Sequence, residues 1–349
     1  YVHMEAPYLM SHSQPAKTEN LRYLELIEYG GKLQQALGIR SPSIPDHVVS
    51  RLEEAESEIS RRFDAEVDLV SLVRNSLHER NTTLPLYDRL IDRIDPSVAV
   101  VVVSYGKETF IEACKRNGVP VVELQHGVIY KEHYGYSYPE GETKETFPDY
   151  LFTFGEFWDE GINYPIPDSH VIPVGYPYLE QRLDRYHGVE SGDQLLFISQ
   201  GTIGHELSRF ALAVEEDSRI DLDIVYKLHP GEYDRWKNEY PWLDNTEITV
   251  VDSSNPPLYQ LFAESKIQIG VGSTAVYEGL CFDLTTLVFD TADTTPLQPL
   301  VDAGAAAFVH STDDLVQVLN SDIKPRFDRN QFFKQNSIQN IKNELKQIM

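Results

Sequence analysis

Apolar positions recur every three or four residues in the first quarter of the chain, then give way to short solid apolar runs separated by glycine turns. Leu21, Leu24, Ile27, Leu33 and Leu37 keep helical spacing, and residues 46–77 carry Leu52, Ile59, Phe63, Val67, Val70 and Val73 as one stripe on a charged background. Pro85 is placed to open a last helix over residues 86–94. Residues 1–20 are polar, proline-broken and without period, which predicts a surface segment. The helical part, 1–93, reads as framework.

Residues 97–103 are the first solid run, Ser97-Val98-Ala99-Val100-Val101-Val102-Val103, and predict a strand buried on both faces. Helix composition over 107–117, closed by Gly118, leads to a second strand over 119–124. Strands follow over 150–155 and 170–177, with the irregular aromatic stretch 131–148 before them and a polar linker over 182–193 after. A second series begins at residue 194, with strands at 194–199, 221–226, 247–251, 266–271, 285–289 and 303–309. Strands alternating with helices predict α/β architecture twice over: 94–182 as one Rossmann-like domain and 183–325 as a second, with a polar helix from 326 to 349 packing back on the first.

The chain's 349 residues suit two domains, and 41% hydrophobic content is that of a folded protein. Charge changes the picture more. Asp and Glu number 55 against 30 Lys and Arg, a net charge of -25, with the acids scattered and not gathered in a tail. This fits a solvated surface of a halophilic, archaeal source, and it excludes nucleic acid as a partner, since backbone contacts need a basic face. Cys114 and Cys281, each in an apolar setting, predict free thiols of a reducing, cytoplasmic compartment. Tyr1-Val2-His3-Met4 reads as an N-terminus that has been lost or replaced.

Four turns carry chemistry. Lys227-Leu228-His229-Pro230-Gly231-Glu232 follows a strand, and in open α/β sheets that edge is where ligands bind. Lys227 is read as facing either ligand or solvent. Gly272-Ser273-Thr274 leads from a buried strand into a helix, and its hydroxyls either cap that helix or meet an anion. No acid or glutamine stands three residues on to complete a capping box, which favours the ligand. Glu278, one turn later, either accepts from a sugar hydroxyl or faces water. Gln125-His126-Gly127 ends another strand, and His126 is either a general base or a hydrogen-bonded structural histidine. Gly201 and Thr202 form a glycine turn able to approach a phosphate or to serve as an ordinary turn. No Asp-x-Asp stands beside these elements and no metal is expected; Asp221-Leu222-Asp223 lies at the wrong end of its strand.

The order of these motifs over residues 95–335 resembles the GT-B glycosyltransferases and glycerophosphotransferases of surface-polysaccharide and teichoic-acid synthesis, with two Rossmann-like domains facing a cleft. The resemblance implies that His229 and the Ser273/Thr274 helix end hold the phosphates of a nucleotide-activated donor, which is substrate and not cofactor; Lys227, Pro230, Gly201, Thr202 and Gly272 are the further candidates for binding it. It implies Glu278 on the ribose and His126 as the base for a glycan or lipid-linked acceptor hydroxyl, in an inverting, metal-independent transfer. A lipid-linked acceptor would bring the enzyme to the inner face of the cell membrane, and a homo-oligomer is compatible. The alternatives are a CDP-glycerol-type transferase, a nucleotide-sugar 2-epimerase of the same fold, which would need several carboxylates around the sugar, and a non-catalytic nucleotide- or glycan-binding protein.

Overall fold

A computed structural model describes residues 1–6, 12, 14–291, 295–321 and 327–349. The expected boundary at 325/326 lies outside them. The chain folds as two compact units: residues 1–123 with 144–149 and 348–349, and residues 124–143 with 150–347.

In the first unit, β1 (His3–Glu5) pairs in parallel with β2 (Leu21–Tyr23), so the segment read as aperiodic surface starts with a strand. Helices α1 (Glu25–Ala36) and α2 (Asp46–Phe63) precede α3 (Leu69–Ile94). Pro85 does not open a helix, as its sequence position suggested, but sits inside α3. Proline removes the hydrogen bond that the carbonyl four residues earlier would accept. That carbonyl, on Asn81, is instead reached by the Arg40 guanidinium at 3.2 Å, so the helix continues through the proline.

Strand β3 (Ala99–Val102), helix α4 (Glu108–Arg116) and strand β4 (Val121–Leu124) complete one strand–helix–strand unit. Ile91, Ala99, Val101, Phe110, Ile111 and Cys114 form its core. The expectation that β3 is buried on both faces fails: Val100 and Val102 are half exposed while Ala99 and Val101 are buried. An unbroken valine run can therefore be half-solvated, because strand side chains alternate faces whatever their polarity.

The second unit begins its regular structure with β5 (Tyr150–Thr153) and β6 (Val171–Pro173), and the sheet order is β3-β4-β5-β6. Residues 182–193, read as a linker, start inside α5 (Pro177–Tyr186). Proline at its first position, Glu180 in the first turn and Arg185 in the last favour a helix there.

The larger sheet holds β7 (Gln194–Ile198), β8 (Asp223–Lys227), β9 (Thr249–Val251), β10 (Ile267–Gly270), β11 (Thr285–Phe289) and β12 (Ala307–Val309). Its order is β12-β11-β10-β7-β8-β9, with every described pairing parallel. Counted from β7 this is the 3-2-1-4-5-6 order of dinucleotide-binding folds, and the direction of winding reverses between β7 and β10. The connections carry α6 (Gly204–Glu215), α7 (Trp236–Glu239), α8 (Leu258–Glu264), α9 (Thr274–Gly279) and α10 (Gln298–Asp302), and α11 (Thr312–Leu319) follows β12. Leu195, Phe197, Tyr226, Ile269, Leu287 and Val309 centre the core.

Last come α12 (Arg329–Phe332) and α13 (Ser337–Ile348). They close over the ends of β5 and β6. The Trp158 indole donates to the Phe332 carbonyl at 2.8 Å, and the Glu180 carboxylate accepts from the amides of Asn336 and Ser337 at the start of α13. Gly155 is needed here because a Cβ would collide with the Gln331 carbonyl. Gly155→Ala is expected to cost about 1–3 kcal/mol, read as a lower denaturation midpoint with faster proteolysis after residue 326.

Candidate functional site

At the switch point the C-terminal ends of β7, β8 and β10 release three turns, and one buried carboxylate ties two of them together. Glu232, fully buried, accepts from the Ser199 hydroxyl at 3.0 Å, the Tyr240 hydroxyl at 2.8 Å and the His229 backbone amide at 2.7 Å. Three donors on one carboxylate satisfy a group that would otherwise be costly to bury. Gly204 is required by the same network, since a Cβ there would collide with Tyr240 and Glu232. Arg235 adds a second tie, donating to the Gly231 carbonyl at 2.9 Å and the Gly201 carbonyl at 3.3 Å.

His229 caps a 3₁₀ turn over Pro230–Glu232, and its Nδ1 accepts from the Gly231 amide at 3.1 Å. An acceptor at Nδ1 puts the proton of the neutral ring on Nε2, which leaves a fixed donor on an exposed imidazole. Pro230 and Gly201 shape the turns and carry no side-chain donor, and Thr202 lies in the Gly201 turn. Lys227 does not face solvent, one of its two sequence readings. Its ammonium is buried on the Ser253 carbonyl at 2.7 Å and the Tyr233 hydroxyl at 2.6 Å, which fixes the end of β8 to the end of β9. A phosphate there would have to displace those bonds.

The third turn explains its own motif. A Cβ on Gly270 would come within 2.5 Å of Val276, and one on Gly279 would collide with the Gln268 amide, so glycine at both positions lets α9 lie on β10. Gln268, fully buried in β10, donates to the Val276 carbonyl and the Thr286 hydroxyl, both at 2.8 Å. Gly272 has φ +32°, turning the chain into Ser273. Ser273 is the N-cap, accepting from the Ala275 amide at 3.3 Å, the capping role that the sequence left open beside the ligand one; its hydroxyl proton stays available to an acceptor. Glu278 accepts from the Tyr259 hydroxyl at 2.7 Å. Burial pushes its carboxyl up to about 7, with the tyrosine bond pulling the other way.

The loop after β4 is held by Gln125. Its amide donates to the Gly127 carbonyl at 2.8 Å and accepts from the Phe154 amide at 2.7 Å, which fixes the turn and leaves His126 exposed. Tyr136, fully buried, sets its hydroxyl 3.3 Å from His126 Nδ1. Tyr136 thus anchors part of the irregular 131–148 stretch. His133 packs 4.8 Å from the Tyr136 ring, and burial holds its own pKa below the usual value. A Cβ on Gly127 would lie 3.4 Å from Thr274 Oγ1, so the His126 turn and the α9 start are neighbours. The structure thus brings His126, Gly127 and Thr274 to one place, with Glu278 one helical turn beyond.

Glu232, Gln125, Arg235 and Tyr259 carry no role in the sequence reading. For Glu232 a signal existed: an acid three residues after His229, the spacing of a capping box. Tyr259 had none, as its partner is 19 positions away.

No family model matches the chain, and no curated protein matches it. Among solved structures it is similar to the UDP-GlcNAc 2-epimerase of Methanocaldococcus jannaschii in complex with UDP-GlcNAc and UDP, at 15% identity, TM-score 0.52, covering 77% of this chain and 81% of that one. It is also similar to the UDP-GlcNAc 2-epimerase of Neisseria meningitidis bound to UDP-GlcNAc, at 14% identity, TM-score 0.53, covering 77% and 81%. What is shared is the fold: two parallel sheets flanked by helices, in a two-domain Rossmann-like GT-B architecture. No helix among the described residues is long and apolar enough to cross a membrane.

Proposed function

We propose that this chain is an enzyme acting on a nucleotide sugar held at the switch point of the six-stranded sheet. The observation that carries the reading is the closeness of Gly127, beside His126, to Thr274 at the start of α9. A donor with its phosphates on His229 Nε2 and the Ser273 and Thr274 hydroxyls would carry its sugar toward the His126 turn. The ribose would lie toward Glu278. Hydrogen bonds to the departing diphosphate strengthen as charge develops on it, so His229 favours the transition state over the bound donor. Lys227 acts at one remove, by holding the end of β8 from which His229 projects.

For the reaction itself the first reading is transfer to an acceptor hydroxyl with His126 as base. Such a hydroxyl is too weakly acidic to attack unaided, and an exposed imidazole can take its proton as the bond forms. A nucleotide diphosphate leaving from the face opposite the attack gives inversion at the sugar carbon. The second reading is 2-epimerisation of the sugar on the bound nucleotide. It is supported by the fold neighbours, both 2-epimerases, and is the simpler account of that likeness. It requires proton-transfer groups around sugar C2.

The test starts with calorimetric titration of UDP, GDP, CMP and CDP compounds into wild type and His229→Ala. One nucleotide should bind, with affinity on the order of tenfold weaker in the variant; no binding by any of them overturns the reading. The cognate nucleotide sugar is then followed by NMR. A C2 epimer formed without acceptor supports epimerisation, and nucleotide release that requires an acceptor supports transfer. Binding with neither reaction across a broad acceptor panel would point to a non-catalytic binding protein.

A further inference from the structure

Glu278 is engaged on one side only. Its Oε2 accepts from the Tyr259 hydroxyl at 2.7 Å, and its Oε1 carries no protein hydrogen bond among the described residues. Tyr259 belongs to α8, which precedes β10, whereas Glu278 belongs to α9, which follows it, so the bond joins the two helices flanking that strand. The Tyr259 ring is buried, with Phe282 at 5.5 Å, Phe262 at 6.0 Å and the Tyr178 ring edge-on at 5.9 Å. A phenol packed on these sides has one place for its hydroxyl, and so fixes the carboxylate it holds.

We propose that Tyr259 is the positioning residue of ribose recognition: it locks one oxygen of Glu278 and leaves the other aimed to accept from a ribose hydroxyl, making the site selective for ribonucleotides. This rests on the nucleotide reading above. A carboxylate free to rotate would lose torsional freedom on binding each hydroxyl; one already held does not. The acceptor must also be ionised, because a protonated carboxyl offers fewer lone pairs and a competing donor.

That requirement gives the arrangement a pH signature. The titratable and charged groups around Glu278 are Tyr259 on α8, Tyr176 with Tyr178 and Arg182 at the start of α5, and Cys281 just beyond α9, with Arg329 acting on Cys281. Burial raises the Glu278 carboxyl to about 7, and the Tyr259 bond opposes that rise. Removing the hydroxyl therefore raises the carboxyl further and moves the onset of ribonucleotide binding to higher pH.

The experiment titrates the nucleoside diphosphate that binds wild type, with its 2′-deoxy and 3′-deoxy counterparts, between about pH 5 and about pH 9. Wild type, Tyr259→Phe and Glu278→Gln are compared, each checked for cooperative thermal unfolding without ligand. Wild type should prefer the ribonucleotide over at least one deoxy form by on the order of tenfold, with affinity falling as pH drops through about 7. Tyr259→Phe should lose most of that preference and show a higher midpoint, while Glu278→Gln should be flat with pH. A Tyr259→Phe protein that keeps both preference and midpoint overturns the inference and leaves the nucleotide site standing. A wild type that binds no nucleotide removes both.

Discussion

Glu232→Ala should lower the stability of the second unit by about 3–5 kcal/mol and, on the proposed function, abolish nucleotide binding with it. The size follows from what is left behind. The Ser199 and Tyr240 hydroxyls and the His229 amide would lose their common acceptor in a site with no room for bulk water, and a cavity the size of a carboxylate side chain would remain. Tyr226 extends the damage, because its hydroxyl donates to the Ser199 hydroxyl at 3.1 Å and the Gly204 carbonyl at 3.3 Å. Chemical denaturation followed by tryptophan fluorescence reads the loss directly, since Trp236 and Trp242 lie in this unit. Tyr240→Phe removes one donor together with its need for an acceptor and should cost only about 1 kcal/mol. Equal losses in the two variants would show that the carboxylate is not the hub.

His126→Ala should reduce kcat by about 10²–10⁴-fold, on the order of 3–5 kcal/mol of transition-state stabilisation, with nucleotide affinity unchanged. The split between rate and binding is the informative part. His126 sits on the β4 turn fixed by Gln125 and not on the turns assigned to phosphate, so its loss should not release the donor. Tyr136→Phe should show a smaller fall, about tenfold at most, because the hydroxyl orients the ring through Nδ1 at a long 3.3 Å without touching substrate. A His126→Ala enzyme within threefold of wild type (roughly 0.7 kcal/mol) would eliminate the base role and, with a C2 epimer among the products, leave epimerisation as the reaction.

The architecture was legible because parallel strands announce themselves as solid apolar runs, and the turns that follow them carry the glycines, hydroxyls and histidines. Each of those turns lies at a C-terminal strand end. What periodicity could not separate was a solid run that is half exposed from one that is buried, and β3 is of the first kind. Pro85 misled for a related reason: the rule that proline stops a helix counts the lost hydrogen bond, and the substitute from Arg40 comes from 45 positions earlier. The roles within the turns divide the same way. Residues whose partners are sequence neighbours could be weighed from spacing, as with His229 and Ser273. Lys227, Gln125 and Tyr259 owe their positions to partners on other strands and helices, which spacing does not reveal.

The bond from the Trp158 indole to the Phe332 carbonyl spans 174 positions, and that of Asn340 to the Val174 carbonyl spans 166. During synthesis the strand ends around Phe154 and Trp158 therefore exist long before the residues that cover them leave the ribosome. At ordinary elongation rates, about 5–20 residues per second, that interval is on the order of ten seconds or more. Through it the nascent chain presents an aromatic surface (Phe154, Phe157, Trp158 and Tyr176) without its lid. Later sealing of this sheet than of the larger one is the expected consequence of the chain order of these bonds.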